Sequence, residues 1–314
     1  MCAGRASTDL PSIDVVIPTF NSGLLIDECL ERIRSQNYRG KINIIIIDAG
    51  STDETLNIAR NFGCEVHVFQ GMYSNGLNGA RNSSLDFCKG ELYWQIDSDN
   101  FVKDGDMLSN LVEPFLKIQG VNITVPLTDY LPSQANLDKW LAHNEKLKLA
   151  EMYGDGKIQG SWVIVSDMKY GITNASLLRT SILREVGGYD SDVRVLKRMR
   201  EKGLSSGVIV TNCVFYHLQG QTLLKWAKKQ ERRILFFGKF DDYFLSKYFV
   251  ATSLDHSYRR GVLNSLYGDF IIASLSILKE HKKYWYYGFL LLAASLGIFI
   301  LHPYRTFRVL WKFL

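Results

Sequence analysis

The sequence predicts an α/β fold built on parallel strands, and three observations support this. Within the first hundred residues, short β-branched runs alternate with segments whose apolar residues recur at helical spacing. Residues 41–48 (KINIIIID) are almost continuously apolar, as expected of a strand covered on both faces. Acidic residues stand at the ends of two such runs, and strand–helix alternation places functional groups at the carboxyl ends of strands.

The elements follow in order from their local patterns. Residues 13–18 (IDVVIP) predict a short strand, and residues 24–36 predict an amphipathic helix. After the strand at 41–48, residues 51–62 predict a helix, because Ser, Thr and Asp at its start can cap the first turn. Two further short runs, at residues 65–69 and 92–97, predict the next strands.

Composition narrows the possible partners. The chain has 314 residues, of which 46% are hydrophobic, so it can bury a sizeable core and is not a disordered sequence. The net charge of +5 comes largely from the last third, where Lys and Arg surround apolar runs. This placement fits an anionic membrane surface, and no aromatic–basic motif indicates a nucleic-acid partner.

Five cysteines are scattered along the chain without a close pair. This pattern disfavours both a disulfide framework and a structural zinc site, and it predicts a reducing compartment. The first twelve residues contain no apolar run, so we expect no signal peptide.

The last third predicts attachment to a membrane. Residues 222–240 can place Leu, Trp, Ile and Phe on one helical face and Lys and Arg on the other, as in an interfacial helix. Residues 284–301 are uncharged for about 18 positions and begin with aromatic residues, which predicts a transmembrane helix, with a buried core helix as the alternative. Residues 262–278 are a weaker span because Asn264 and Asp269 interrupt them, so one or two spans are possible.

These patterns divide the chain into four regions. Residues 1–12 are expected to be disordered or loosely ordered, and residues 13–220 to form the α/β domain. Amphipathic interface helices are expected over residues 221–260. A membrane-attachment region with one or two transmembrane helices is expected over residues 261–314.

Asp97 and Asp99 stand two residues apart at the end of an apolar run. Two carboxylates past a strand's end can together address a hard divalent cation that bridges phosphate oxygens. Taken alone the pair is weak evidence, because acidic residues end many strands.

The order of motifs is more specific than the acidic pair. The sequence contains PTFN (18–21), DAGSTD (48–53), GARN (79–82), DSD (97–99) and EVGGYD (185–190) in that order. This series closely resembles the family 2 glycosyltransferases over roughly residues 13–217. The resemblance implies the GT-A fold, the nucleotide-diphospho-sugar transferase architecture in which helices flank a mixed sheet. It also implies a nucleotide-sugar donor.

Four of the residues that the resemblance assigns to donor binding precede the DSD motif. Pro18 and Phe20 correspond to part of the nucleobase pocket. Asp48 corresponds to a residue that accepts a base N–H, although Ala49 stands where many relatives carry a second Asp. Arg81 corresponds to a residue that approaches the diphosphate or ribose, with a solvated helix arginine as the alternative.

The same resemblance implies a divalent metal, Mg²⁺ or Mn²⁺. Asp97 would hold the ribose or the metal, and Asp99 would ligate the metal. His217 stands where relatives often place a histidine near the metal or diphosphate, with a buried core histidine as the alternative. Such an ion offsets the charge that develops on the leaving group. For Asp53 we favour a helix cap.

On the acceptor side, the resemblance places the catalytic base at Asp192, where Ser191 replaces an acidic neighbour. Asp190 is the second candidate because the preceding linker is short, and a helix cap is the alternative for either residue. Arg233 belongs to a partial match to an element of cellulose-synthase-like relatives, in which Ile234 replaces a tryptophan. It is assigned to the donor site, with a solvated helix face as the alternative.

These assignments predict an inverting hexosyltransferase at a membrane, with its catalytic domain on the cytoplasmic face. The favoured donor is GDP-mannose, and the favoured acceptor is a hydroxyl of a lipid-linked glycan. The alternatives are transfer to polyprenyl (dolichyl) phosphate and a catalytically inactive sugar-nucleotide-binding protein. A dinucleotide-dependent oxidoreductase is disfavoured because no G-x-G-x-x-G follows the first strand.

Overall fold

The computed structural model describes residues 10–69, 81–131, 133, 156–168, 175–189 and 192–218. Ten strands in this part of the chain form one mixed sheet with the order β3-β2-β1-β4-β9-β6-β10-β8-β7, and β5 pairs with β10 outside this row. The strands are β1 Ile13–Thr19, β2 Ile42–Asp48, β3 Glu65–Val68, β4 Leu92–Gln95, β5 Asn100–Val102, β6 Ile123–Asp129, β7 Lys157–Gln159, β8 Trp162–Val165, β9 Leu177–Arg179 and β10 Gly207–His217. The helices are α1 Ile26–Arg34, α2 Thr55–Asn61, α3 Met107–Lys117, α4 Thr180–Glu185 and α5 Asp192–Glu201.

The first half of the sheet confirms the βαβ prediction. β1 pairs in parallel with both β2 and β4, and β2 pairs in parallel with β3. The predicted strands and the first helix appear within a few residues of their expected ends. The second helix begins at Thr55, later than the predicted residue 51. The difference arises because Ser51, Thr52 and Asp53 make hydrogen bonds with the loop after β1.

The second half of the sheet is antiparallel in places, so the whole sheet is mixed. β9 runs antiparallel to β4 and β6, and β8 runs antiparallel to β10. β10 also pairs antiparallel with β5, which sets His217 opposite Asn100. A mixed sheet is what the family resemblance implied, whereas the residue pattern alone indicated only its parallel part.

Alternating residues of β1 face two apolar cores on opposite sides of the sheet. Val15 packs in a core with residues of α1 and α3, including Leu30 and Leu111. Val16 packs in the other core, with Leu183 of α4 among its members. Both faces are therefore covered, which explains why β2 is apolar almost throughout.

Several predicted regions lie outside the described residues. They include the amphipathic stretch at 222–240 and both candidate spans, at 262–278 and 284–301. Within the described part of the chain, no helix has the length and apolar character needed to cross a bilayer. At the other end, the backbone carbonyl of Pro11 accepts a hydrogen bond from the Tyr38 hydroxyl (2.6 Å).

Candidate active site

The candidate site lies where three neighbouring parallel strands end. β1, β2 and β4 lead into residues 20–25, residues 49–54 and the turn at 96–99. The first two segments are here called the first two loops, and residues 97–99 the DSD turn. Because carboxyl ends of parallel strands share one edge of a sheet, the loops meet there.

Asp48 joins the end of β1 to the loop after β2. Its side chain is fully buried at the end of β2. One carboxylate oxygen accepts the Thr19 hydroxyl (2.7 Å) and the Ser51 hydroxyl (2.5 Å). The other accepts the backbone N–H groups of Gly50 (2.8 Å) and Ser51 (2.7 Å). These four hydrogen bonds match the acceptor capacity of a carboxylate, so the carboxylate fixes the shape of the loop after β2.

Asn21 joins the first two loops to each other. Its side-chain oxygen accepts a hydrogen bond from the backbone N–H of Thr52 (2.9 Å), and its backbone N–H donates to the Ser51 hydroxyl (2.8 Å). Asn21 has φ of 49°, a left-handed conformation that asparagine adopts more readily than most residues. Asn21 of the PTFN motif therefore fixes the path of the backbone in both loops.

Asp53 accepts hydrogen bonds from the first residue of α2, although the N-cap position itself is occupied by Glu54 and not by Asp53 as expected. Its carboxylate accepts the N–H of Thr55 (3.1 Å), the first residue of α2, and also the Thr55 hydroxyl (2.5 Å). It further accepts the N–H of Gly23 (2.9 Å) in the loop after β1. The hydrogen bond from the Thr55 hydroxyl is the main reason that the pKa of Asp53 is lowered.

The two residues assigned to the nucleobase differ in exposure. Phe20 immediately follows β1 and is 42% exposed, so part of its ring is accessible at the edge of the sheet. Pro18 is buried within β1, opposite Ile47 of β2. An accessible aromatic face can stack on a base, whereas a buried proline can only shape the strand end.

The DSD turn is fixed by one backbone hydrogen bond and by contacts from α1 and the loop after β1. The backbone N–H of Asn100 donates to the carbonyl of Asp97 (2.9 Å), which closes the turn. The thiol of Cys29 in α1 donates to the Asn100 carbonyl (3.4 Å), and the Ser98 hydroxyl bonds to the Ser22 hydroxyl (2.9 Å). Burial raises the pKa of Cys29 far above its ordinary value, so this thiol keeps its proton.

His217 is brought to the DSD turn by the pairing of β10 with β5. Its Nε2 lies 3.5 Å from Oδ1 of Asp99. The next residue, Leu218, donates its backbone N–H to the Asp99 carbonyl (2.8 Å). The structure therefore places His217 beside Asp99, and its predicted role near a metal or diphosphate stays a prediction.

Arg81 is a buried partner of Asp97. It lies in a helical turn at residues 81–84, and its Nη2 donates to Oδ1 of Asp97 (2.6 Å). The side chain of Arg81 is only 7% exposed. The alternative of a solvated helix arginine is therefore wrong. Its guanidinium also lies over the ring of Tyr189, 5.8 Å from the centroid.

The turn at Gly188 and Tyr189, before α5, is hydrogen-bonded to the helical turn at residues 81–84. The N–H of Tyr189 donates to the side-chain oxygen of Asn82 (2.9 Å), and Arg198 of α5 donates to the carbonyl of Gly188 (2.7 Å). Gly188 has φ of 92°, and a Cβ there would collide with the Asn82 side chain. Glycine is therefore required at this position.

The predicted acceptor-side residues are only partly described. α5 begins at Asp192, directly after the tethered turn. The side chain of Asp192 lies outside the described residues, as do Asp190 and Arg233. Their assigned roles stay predictions.

The donor set at the DSD turn suits a divalent cation that is shared with a phosphate ligand. Within the described residues, no three His, Cys, Asp or Glu side chains are placed to hold a metal by themselves. Mg²⁺ in nucleotide-dependent enzymes is commonly held by one or two carboxylates together with substrate phosphates. The carboxylates of Asp97 and Asp99 and the imidazole of His217 have the chemistry for such an ion.

Comparison with known proteins identifies the domain. Residues 14–160 match the family described as Glycosyl transferase family 2. The chain contains a family 2 glycosyltransferase domain. The glycosyltransferase GlyG of Streptococcus pneumoniae is 33% identical over 122 residues, 38% of each protein. A Campylobacter jejuni protein, GalNAc(5)-diNAcBac-PP-undecaprenol beta-1,3-glucosyltransferase, is 29% identical over 108 residues, 33% of this chain and 34% of that protein. The match spans only about a third of the length of these relatives.

Solved structures show the fold of this domain. A mannosyltransferase from Pyrobaculum calidifontis, in complex with GDP-Man and Mn²⁺, has a TM-score of 0.55 and 18% identity, covering 98% of this chain and 85% of that chain. GalNAc-T7, with UDP, GalNAc and Mn²⁺, has a TM-score of 0.51 and 18% identity, covering 76% and 50% of the two chains. The mixed sheet is thus that of the GT-A glycosyltransferases.

Three residues that contact the site were not anticipated from the sequence. Gln95 contacts Arg81, Tyr189 lies beneath the same arginine, and Cys29 supports the DSD turn. A glutamine within the apolar run of β4 was a visible signal, because a buried amide needs hydrogen-bond partners. The sequence gives no comparable signal for Cys29.

Proposed function

We propose that the protein is an inverting, metal-dependent glycosyltransferase that moves a sugar from a nucleotide-sugar donor to an acceptor at a membrane surface. The observation that carries this proposal is the DSD turn with His217 beside it, at the carboxyl edge of the sheet in a family 2 domain. The turn is fixed by backbone and side-chain bonds, so its carboxylates are held in place before a ligand binds.

On the donor side, the exposed ring of Phe20 offers a stacking surface for the nucleobase. Asp97 would hold the ribose or the divalent ion and Asp99 would hold the ion, with His217 next to Asp99. When bound, Mg²⁺ or Mn²⁺ supplies positive charge against the leaving nucleoside diphosphate.

On the acceptor side, the proposed base is Asp192, with Asp190 as the second candidate. The acceptor hydroxyl oxygen attacks the anomeric carbon as the bond to the diphosphate oxygen breaks, and the hydroxyl proton passes to the carboxylate. The tether between Tyr189 and Asn82 supports this proposal, because it anchors the chain just before α5 close to Arg81.

The donor, the acceptor and the membrane attachment are each supported by a separate observation. GDP-mannose as donor is supported by the sequence resemblance and by the GDP-Man complex of the Pyrobaculum mannosyltransferase, which shares its fold. A lipid-linked acceptor is supported by the name of the Campylobacter relative. Membrane attachment through residues 222–240 and 284–301, with the domain on the cytoplasmic face, is proposed from the sequence pattern alone.

The activity is tested by measuring nucleotide release from GDP-mannose, UDP-glucose and UDP-N-acetylhexosamines in the presence of a membrane extract, with Mn²⁺ or with chelator. We expect release from one donor that depends on both metal and extract. Metal-dependent binding without turnover would favour the inactive alternative. The absence of both would contradict the proposal.

The acceptor class is tested by Asp192→Asn, which removes the basic site while keeping similar size. With a hydroxyl acceptor we expect turnover to fall by about 10² to 10⁴-fold, with donor affinity nearly unchanged. Asp190→Asn should have a milder effect. Wild-type turnover in both variants would favour a polyprenyl phosphate acceptor, because a phosphate is already an anion and needs no base.

A further inference from the structure

Gln95 is a buried polar residue at the end of β4, two positions before Asp97. Its amide lies between Arg81 and Tyr189. Oriented with its oxygen toward the guanidinium, it accepts hydrogen bonds from Nε (2.9 Å) and Nη2 (2.8 Å) of Arg81. Its amide nitrogen then donates to the Tyr189 hydroxyl. In this orientation both ends of the amide have partners.

This contact fixes the direction in which Arg81 points. A guanidinium is planar and presents its N–H groups in a fixed fork, so holding two of its nitrogens sets the plane of the whole group. Nη2 of Arg81 also donates to Oδ1 of Asp97 (2.6 Å). A change in the plane would therefore move the donor that holds the Asp97 carboxylate.

Arg81 has little surface left with which to contact a ligand directly. Its side chain is 7% exposed, whereas that of Asp97 is 17% exposed and that of Asp99 is 30% exposed. The exposed fraction of the side chain therefore rises from Arg81 through Asp97 to Asp99. Arg81 is therefore placed to act through Asp97.

We propose that Gln95 is a positioning residue for the proposed transfer reaction. It holds Arg81 so that the Asp97 carboxylate faces the nucleotide and its metal, and the Tyr189 hydroxyl holds Gln95. This inference rests on the proposed function, because it gives the DSD turn a nucleoside diphosphate and a divalent ion as ligands. Gln95 also connects the DSD turn to the acceptor side, because its partner Tyr189 lies in the turn before α5 and donates its backbone N–H to Asn82.

The test uses Gln95→Met, which keeps length and burial but removes both hydrogen-bonding ends, and Tyr189→Phe, which removes one hydroxyl. The readout is calorimetric affinity for UDP and GDP across a Mn²⁺ titration, alongside the Mn²⁺ dependence of donor turnover. Loss of an outer-shell partner typically weakens metal affinity or activity about 10 to 100-fold, and we expect Gln95→Met to fall in this range. Tyr189→Phe should show a smaller weakening of the same kind.

Gln36→Met is the matched control. Gln36 is also a buried glutamine, and its hydrogen bonds go to the backbone of Arg32, Asp104 and Leu108. We expect this variant to lose stability but to keep the wild-type Mn²⁺ dependence. Equal shifts in Gln95→Met and Gln36→Met would mean that Gln95 has only a structural role, and would overturn the proposal.

The two proposals fail in different ways. If wild-type protein neither binds a nucleoside diphosphate with Mn²⁺ nor releases nucleotide, the proposed function is wrong and the positioning role falls with it. If the wild type does both and Tyr189→Phe and Gln95→Met match its Mn²⁺ dependence, only the positioning role is wrong. If Gln95→Met does not fold, Tyr189→Phe decides on the same readout.

Discussion

The first two loops and the DSD turn both carry aspartates at the same edge of the sheet, yet they use them differently. At the first two loops, Asp48, which ends β2, accepts four hydrogen bonds from the chain, and Asp53 in the second loop accepts three. In the DSD turn, Asp97 is ion-paired with Arg81, and Asp99 lies beside His217. The partners are backbone and hydroxyl donors in one region, and an arginine and a histidine side chain in the other.

The difference separates carboxylates that hold shape from carboxylates placed for a ligand. Asp48 has its acceptor capacity engaged by the chain, so a base N–H would have to displace one of these partners. Its contact with the nucleobase stays a prediction, whereas its hydrogen bonds to β1 and to the loop after β2 are present in the structure. Substitutions in the two regions should therefore affect different quantities.

The largest effect is expected for Asp99→Ala. Removing a carboxylate beside the proposed metal withdraws Lewis-acid assistance worth several kcal/mol, so transfer should fall on the order of 100-fold or more. The free energy of unfolding should change little. Initial rates of nucleotide release and urea denaturation measure the two quantities. Asp86→Ala, at an exposed aspartate, is the control. Normal metal-dependent turnover in Asp99→Ala would refute the assignment.

Asp48→Ala should mainly affect stability. It leaves buried donors without their acceptor, at a cost of about 1–3 kcal/mol for such a group, so we expect a loss of roughly 3 kcal/mol in the free energy of unfolding. The urea midpoint measures this loss against Asp86→Ala. A variant as stable as the wild type would show that the hydrogen bonds of Asp48 contribute nothing to the loop.

Asp53→Ala should lower stability less than Asp48→Ala, and the loss should depend on pH. The pKa of Asp53 is lowered in the folded state, so its contribution is complete above the unfolded value, about 3.9, and is lost as pH falls through the folded pKa. Urea midpoints of wild type and Asp53→Ala should therefore differ near neutral pH and converge in acid. A difference that persists or grows in acid would contradict the capping interaction.

The smallest effect concerns the thiol under the DSD turn. Burial raises the pKa of Cys29 strongly, whereas half-buried Cys64 has its pKa raised to about 11, so Cys29 should be alkylated more slowly in native protein. Mass spectrometry after iodoacetamide treatment at mildly alkaline pH measures both rates. Faster labelling of Cys29 than of Cys64 would mean that the turn opens readily.

The sequence predicted the parallel half of the sheet because its strands are buried on both faces and read as apolar runs. β9 was harder to recognise, because Leu177–Arg179 is a three-residue strand whose partners are distant in sequence. Asp97 and Asp99 were assigned through the order of the motifs and His217 through the family resemblance, and the structure places His217 3.5 Å from Asp99. That Arg81 is buried could not be predicted, because it depends on Gln95 and Tyr189 meeting from separate segments.

The most direct test of the central claim is calorimetric titration of UDP and GDP into wild type, Asp99→Ala and Asp53→Ala, with and without Mn²⁺. The claim is that the DSD turn binds the nucleotide through a metal, whereas Asp48 and Asp53 hold the shape of the chain around the first two loops. We expect Mn²⁺-dependent binding of one nucleotide to wild type and to Asp53→Ala, and loss of that dependence in Asp99→Ala. Unchanged Mn²⁺-dependent binding in Asp99→Ala, or its loss in a folded Asp53→Ala, would contradict the claim.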